Sequence, residues 1–263
     1  MPFFTMSPFT SEFLGTAVLV LLGNTLASSV LLSRTRGENA GWLAVSMGWG
    51  LALFVAMWVA ASSGAHLNPA ITLALVASGA CDAGRLSSHL PGQFLGAMAG
   101  ALVASVVFLP HWRQTEDPSR VLGCFCSVPA IRAPISNLLA EAIGMFVLVF
   151  GVHAMVAQPW TPPEALAING DGIFHTALLW RADWWQFAGA VGVLLGVVML
   201  TIGSSMGGAM NPARDISSRL VHAVLPLPGK GTSDWSYAWV PVVGPLIGAL
   251  AAVFAAKAVG FGI

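Results

Sequence analysis

Gly64-Ala65-His66-Leu67-Asn68-Pro69-Ala70 and Gly207-Gly208-Ala209-Met210-Asn211-Pro212-Ala213-Arg214-Asp215 are two copies of one device. Each sets small residues in front of Asn-Pro-Ala, and each is followed by a run that can form a helix. Asn is a preferred N-cap, and Pro suits the first helical position, where no N–H is needed. Each copy therefore predicts a helix start whose free N–H groups and positive dipole end face something. One Asn-Pro-Ala is only a good helix start. Two, in matching places of two apolar halves, predict a paired structure.

The surroundings are apolar enough for a membrane. Of 263 residues, 56% are hydrophobic and only 8% charged, against about 25% charged in soluble domains. Mean hydropathy is +0.79. Formal net charge is zero, which excludes a basic footprint for nucleic acid. No basic n-region and no small-residue cleavage site precede the first apolar run, so no cleaved signal peptide is expected. Cys124 and Cys126 form a lone C-x-C and Cys81 stands far away, too few ligands for a metal site. No cofactor is expected.

Six stretches reach the ~20 apolar residues that cross a bilayer: Phe13–Leu32, Trp42–Ala61, Leu90–Leu109, Leu138–Ala157, Phe187–Ser205 and Val240–Val259. Shorter apolar runs, Ala70–Ala80 and Ala213–Leu225, follow the two Asn-Pro-Ala copies. Each is long enough for about half a membrane, so the two would meet head to head. The repeat extends further: Glu12-Phe13-Leu14-Gly15 matches Glu141-Ala142-Ile143-Gly144. An odd number of spans per half means that the halves lie inverted, with broken helices meeting at the midplane. The expected organisation is a first repeat over 1–110, a connecting loop over 111–134 and a second repeat over 135–263. The expected fold class is an all-α membrane protein of six transmembrane helices plus two re-entrant half-helices.

Gly92, Gly96 and Gly100, spaced four apart, and Gly192 and Gly196 predict close helix packing. The stretch Gln158–Gln186 carries three prolines and several tryptophans. It reads as an interfacial aromatic anchor or as a cap over a pore mouth. Glu12 and Glu141 read as structural acceptors for loop N–H groups, or as proton carriers. Gly203-Ser204-Ser205-Met206-Gly207 matches G-x-S-x-G, but a hydrolase needs a strand before it and His and acid partners.

These motifs resemble the aquaporin family, in its glycerol-facilitator branch. The resemblance runs over nearly the whole chain, through Ser11-Glu12-Phe13-Leu14-Gly15-Thr16, the two Asn-Pro-Ala copies and Gln93. Asp215, Arg219 and Pro241-Val242 are similar to positions that mark solute-conducting members. The resemblance implies a passive channel in the cell membrane for water and small uncharged solutes such as glycerol, excluding protons and ions. It implies a multi-pass homotetramer in the lipid bilayer with both termini cytoplasmic. The charge count points the other way. Arg85, Arg181 and Lys257 fall on the terminal side, and Arg34, Arg36, Arg113, Arg120, Arg132 and Lys230 on the other. The paired motif is the more specific signal.

By the same resemblance, Asn68, Pro69, Ala70, Asn211, Pro212 and Ala213 form the pore waist. Carbonyls of Gly64, Ala65, His66, Gly207, Gly208 and Ala209 form an acceptor ladder. Ungapped counting from the motifs makes the filter Gly48, Met199, Gly208 and Arg214. Glycerol facilitators place Trp and Phe at the first and third of these positions. Glycine at both predicts a wide opening that also passes neutral metalloid hydroxides such as undissociated arsenite. A slip of one residue would put Trp49 in place of Gly48 and narrow it. The rival readings are a water-selective aquaporin and, from another class, an ion-coupled secondary transporter using Glu12 or Glu141.

Overall fold

In the computed structural model, described over residues 6–157 and 172–261 with side chains of the fifth span described from Trp184, the chain is all-helical among the described residues. The helices are α1 (Pro8–Leu31), α2 (Trp42–Val59), α3 (Pro69–Ser78), α4 (Leu86–Val107), α5 (Leu109–Trp112), α6 (Pro118–Gly123), α7 (Pro134–Val156), α8 (Gly172–Thr201), α9 (Gly203–Met206), α10 (Pro212–Val224) and α11 (Val240–Ala258). Six of them, α1, α2, α4, α7, α8 and α11, are long and apolar enough to cross a membrane.

Hydropathy places these spans within a few residues but misses how they begin. α1 starts at Pro8, behind a Ser7 hydroxyl that accepts from the Thr10 N–H, and α7 starts at Pro134. Both starts precede the apolar run because helix-opening chemistry is polar and proline-based. The larger difference is α8, which begins at Gly172 rather than near Phe187 and ends at Thr201 before the short α9. Of the stretch 158–186 that carries the cap reading, residues 158–171 lie outside the described residues, as do the side chains up to 183. Farther along, Trp185 packs on Phe54 and Trp58 of α2, with ring centroids 4.7 and 5.0 Å away.

Following the chain, α1 leaves the face that carries the termini, α2 returns to it, and α4 crosses again. α7, α8 and α11 make the same series of crossings in the opposite sense. Between them α3 and α10 enter from opposite faces, and their N-termini meet. At 1.5 Å per residue they are about 15 and 20 Å long, together one membrane thickness.

The pairs α1 with α4 and α7 with α11 pack most extensively, and glycine makes both approaches possible. A Cβ on Gly92 would lie 2.8 Å from the Phe9 carbonyl and 3.1 Å from Glu12 Cβ. A Cβ on Gly244 would lie 2.6 Å from Glu141 Cβ and 3.0 Å from the Leu138 carbonyl. In each half, then, the third span presses its glycine onto the turn that holds the buried glutamate. Lys257, near the end of α11, donates to the Ser78 carbonyl at the end of α3, tying both ends to one face. Cys124 and Cys126 are buried free thiols that donate to the carbonyls of Arg120 and Leu122.

Gly92→Val and Gly244→Val should each cost about 1–3 kcal/mol through overpacking, read as a reduced monodisperse fraction after detergent extraction. Gly189→Ala, whose Cβ would meet only Phe54 at 3.9 Å, is the control and should extract like the parent.

Candidate pore and its constriction

The two loops ahead of Asn68 and Asn211 hold backbone that is neither helix nor strand. In the first, Gly64, Ala65 and Leu67 have φ of 92°, 53° and 55°; in the second, Gly207, Gly208 and Met210 have 88°, 61° and 44°. Left-handed backbone is disfavoured for Ala, Leu and Met, so something must hold it. Glu12 accepts from the N–H groups of His66 and Leu67 at 3.0 and 2.7 Å, from Ser63 Oγ at 2.5 Å and from Gln93 Nε2 at 2.7 Å. Glu141 accepts from the N–H groups of Ala209 and Met210 at 2.9 and 2.8 Å. With their N–H groups bound by carboxylates on one side, the loops turn other carbonyls inward.

The waist is built by reciprocity. Asn68 Oδ1 accepts from the Ala70 N–H at 2.9 Å, capping α3, while its Nδ2 donates to the Met210 carbonyl at 2.7 Å. Asn211 Oδ1 accepts from the Arg214 N–H at 3.1 Å, capping α10, while its Nδ2 donates to the Leu67 carbonyl at 2.8 Å. A carboxamide has two N–H donors. Each Nδ2 thus has one donor engaged across the waist and a second in the wall of a narrow cavity of about 50 Å³ that both asparagines line.

His66, Gly208 and Ala209 also line that cavity, and so do Leu67 and Met210, which lie outside the expected acceptor ladder. Gly207 lies instead on a wider vestibule of about 530 Å³, on the face opposite the termini. Gly64 is exposed and Ala65 buried, and neither lines the central cavity. Trp49 and Arg214 line both cavities, so the constriction between them is theirs. The Arg214 guanidinium carbon sits 4.7 Å from the Trp49 ring centroid, a cation–π distance.

This corrects the filter register. Gly48 does not line the cavity: its Cβ position is aimed at the Leu26 side chain of α1. Trp49, about 100° further round the helix, lays its ring over Gly23 of α1 and lines the channel on both sides of the constriction. Counting back from Asn68 fails because α2 ends at Val59 and a 3-10 turn, Ala61–Ser63, lies between it and the loop. Met199 and Gly208 do lie on the wall, and they interact. A Cβ on Gly208 would come within 2.9 Å of Met199 Cε, so the thioether occupies the space a side chain at 208 would take. Trp42 Nε1 donates to the Met199 carbonyl at 2.8 Å and fixes that last turn of α8. The wall is therefore Trp49 and Met199 facing Arg214, not an opening between two glycines.

Beneath Arg214 lies a buried charge pair. Asp215 Oδ1 accepts from Arg219 Nε and Nη2 at 3.0 and 2.8 Å, and Arg219 Nη1 reaches the Ser233 and Asp234 carbonyls. Outside the spans, Arg132 grips Asp234 with two hydrogen bonds and holds its carboxyl below the usual range. The G-x-S-x-G match carries no nucleophile geometry. Ser204 and Ser205 donate to helix carbonyls of Thr201 and Ile202.

Six crossing helices around a polar waist, with two half-helices meeting inside, define a membrane channel. Residues 4–256 match the family model described as Major intrinsic protein, and the chain belongs to that family, the aquaporins, in its glycerol-facilitator-like branch. It is a passive channel, not an enzyme. It is 40% identical over 246 residues to the probable glycerol uptake facilitator protein of Thermotoga maritima, covering 93% of this chain and 96% of that one. It is 39% identical to the glycerol uptake facilitator protein of Streptococcus pneumoniae strain R6, over 94% and 97% of the two chains. Among solved structures, the X-ray structure of the aquaglyceroporin from Plasmodium falciparum matches with a TM-score of 0.75 and 25% identity, over 95% and 94% of the chains.

Glu12→Gln and Glu141→Gln each put an NH2 group where N–H donors converge. One unpaired buried donor costs about 1–3 kcal/mol. Both variants should lose folded yield, more for Glu12 because four donors meet there, as a fluorescence-detected size-exclusion melt would register. Equal melting of both variants and parent would remove the carboxylates from the account of the loops.

Proposed function

We propose that this channel conducts glycerol and similarly small uncharged polyols, with water, and excludes protons and ions. The observation that carries the reading is the two-sided constriction. Trp49 and Met199 offer an apolar wall for a carbon backbone, and Arg214 opposite offers donors for hydroxyl groups. The names of the relatives, glycerol uptake facilitators, support the same solute class. An opening between two glycines would favour bulkier metalloid hydroxides. With an indole and a thioether on the wall, nothing in the geometry favours them over polyols.

Proton exclusion is supported at the waist. Two amide donors oblige a passing oxygen to accept from both sides, which interrupts a proton wire. The paired half-helix N-termini add a positive potential that opposes cations. Glu12 and Glu141 are engaged by loop N–H groups, which favours a structural role over ion coupling. We further infer inverted halves over 1–110 and 135–263 joined by 111–134, and a homotetramer in the cell membrane with cytoplasmic termini. The aquaporin resemblance supports these.

In liposomes, the purified protein should pass glycerol down its gradient without an ion gradient and without collapsing an imposed pH difference. Proton leak on the scale of the solute flux would defeat the proposal. Trp49→Gly should raise the permeability of a five-carbon polyol relative to glycerol several-fold. Gly48→Trp should instead lower folded yield, because its ring would be driven into Leu26. A change of solute preference in a well-folded Gly48→Trp protein would restore the ungapped register.

A further inference from the structure

We infer that Ser127, in the segment between α6 and α7, is the positioning residue that aims the Arg214 guanidinium across the constriction. Ser127 is buried, and its hydroxyl lies 3.1 Å from Arg214 Nη1, which donates to it. The hydroxyl has one proton, and it goes to the Gly207 carbonyl at 3.4 Å. Its lone pairs therefore face the guanidinium. The backbone N–H of Ser127 donates to Asp215 Oδ2 at 2.8 Å, and Asp215 is itself clamped by Arg219.

The segment is seated against the second loop. A Cβ on Gly207 would lie 2.8 Å from the Val128 carbonyl, so loop and segment touch backbone to backbone. Arg214 is thus held from two sides, by the Trp49 face and by the Ser127 hydroxyl. The Asp215 carboxylate lies farther off, at 3.6 Å from Nη1, and is occupied by Ser127 and Arg219. Charge attraction alone keeps the arginine nearby; a directed hydrogen bond fixes where its remaining N–H groups point.

This matters for solute choice and rests on the polyol reading above. A polyol needs the donors in fixed register with the apolar wall, because its carbons and hydroxyls are bound together. A water molecule reorients freely and tolerates a swinging guanidinium. Loss of the Ser127 hydroxyl should therefore depress polyol passage more than water passage.

The test is stopped-flow light scattering on proteoliposomes, reading glycerol and water permeability for Ser127→Ala, Ser127→Val and Ser127→Thr. Val and Thr share a shape and differ in the hydroxyl. The expected result is a glycerol-to-water ratio about three- to tenfold lower in Ser127→Ala and Ser127→Val, with the ratio rescued in Ser127→Thr. A ratio at or above that of the parent in well-folded Ser127→Ala or Ser127→Val overturns the inference. So does failure of both to fold while Ser127→Thr folds, or failure of all three, since the hydroxyl or its site then serves the fold. Absence of glycerol flux in the parent would instead sink the polyol reading.

Discussion

A backbone N–H inside a membrane must find an acceptor, and in this protein that requirement governs the centre. Two loops break off from helical geometry at mid-depth so that their carbonyls can line a passage. The N–H groups on the reverse side have no helix to enter and no water to meet. Glu12 and Glu141 are the answer, one for each loop. Everything nearby adapts to them. Gly92 and Gly244 let the third span of each half close over the glutamate-bearing turn. Left-handed backbone at Leu67 and Met210 persists because the carboxylates hold their N–H groups, while the Ala65 N–H goes to Ser63 Oγ.

Much of this architecture is legible in the sequence, and the reason is economy. A membrane span has a length set by the bilayer, so six apolar runs announce six helices. A glutamate in such a run is conspicuous because it is costly, and a doubled Asn-Pro-Ala has few other uses. The cross-waist bonds are not legible. Asn68 finds the Met210 carbonyl and Asn211 finds Leu67, partners that no local pattern pairs. Nor could Trp49 be chosen over Gly48 by counting. The offset lies in a 3-10 turn whose residues, Ala61, Ser62 and Ser63, read equally well as the end of a helix. Ser127 was hidden for a further reason: a serine in a polar connecting stretch resembles any other.

The basic residues show that an orientation count mixes two kinds of charge. The positive-inside rule weighs charges by their resistance to crossing the membrane. Many of those counted here have duties within the protein. Arg120 meets Glu38 at 3.3 Å, Arg132 grips Asp234, and Lys230 caps the carbonyls that end α10. On the terminal face, Arg85 donates to the Ser63 carbonyl and Lys257 to that of Ser78. A charge count in so compact a channel records architecture as much as topology.

The reciprocal asparagines also set an order of assembly. Synthesis runs from the N-terminus, and the Met210 carbonyl that receives the Asn68 amide is made 142 residues after it. Asn211 must reach back 144 residues to Leu67. The first loop thus waits, with its asparagine unmatched, through the insertion of every helix up to α9. The passage can close into its working form only when the second half-helix arrives. A chain halted before residue 211 lacks one of the two asparagines that close the waist, and with it the channel.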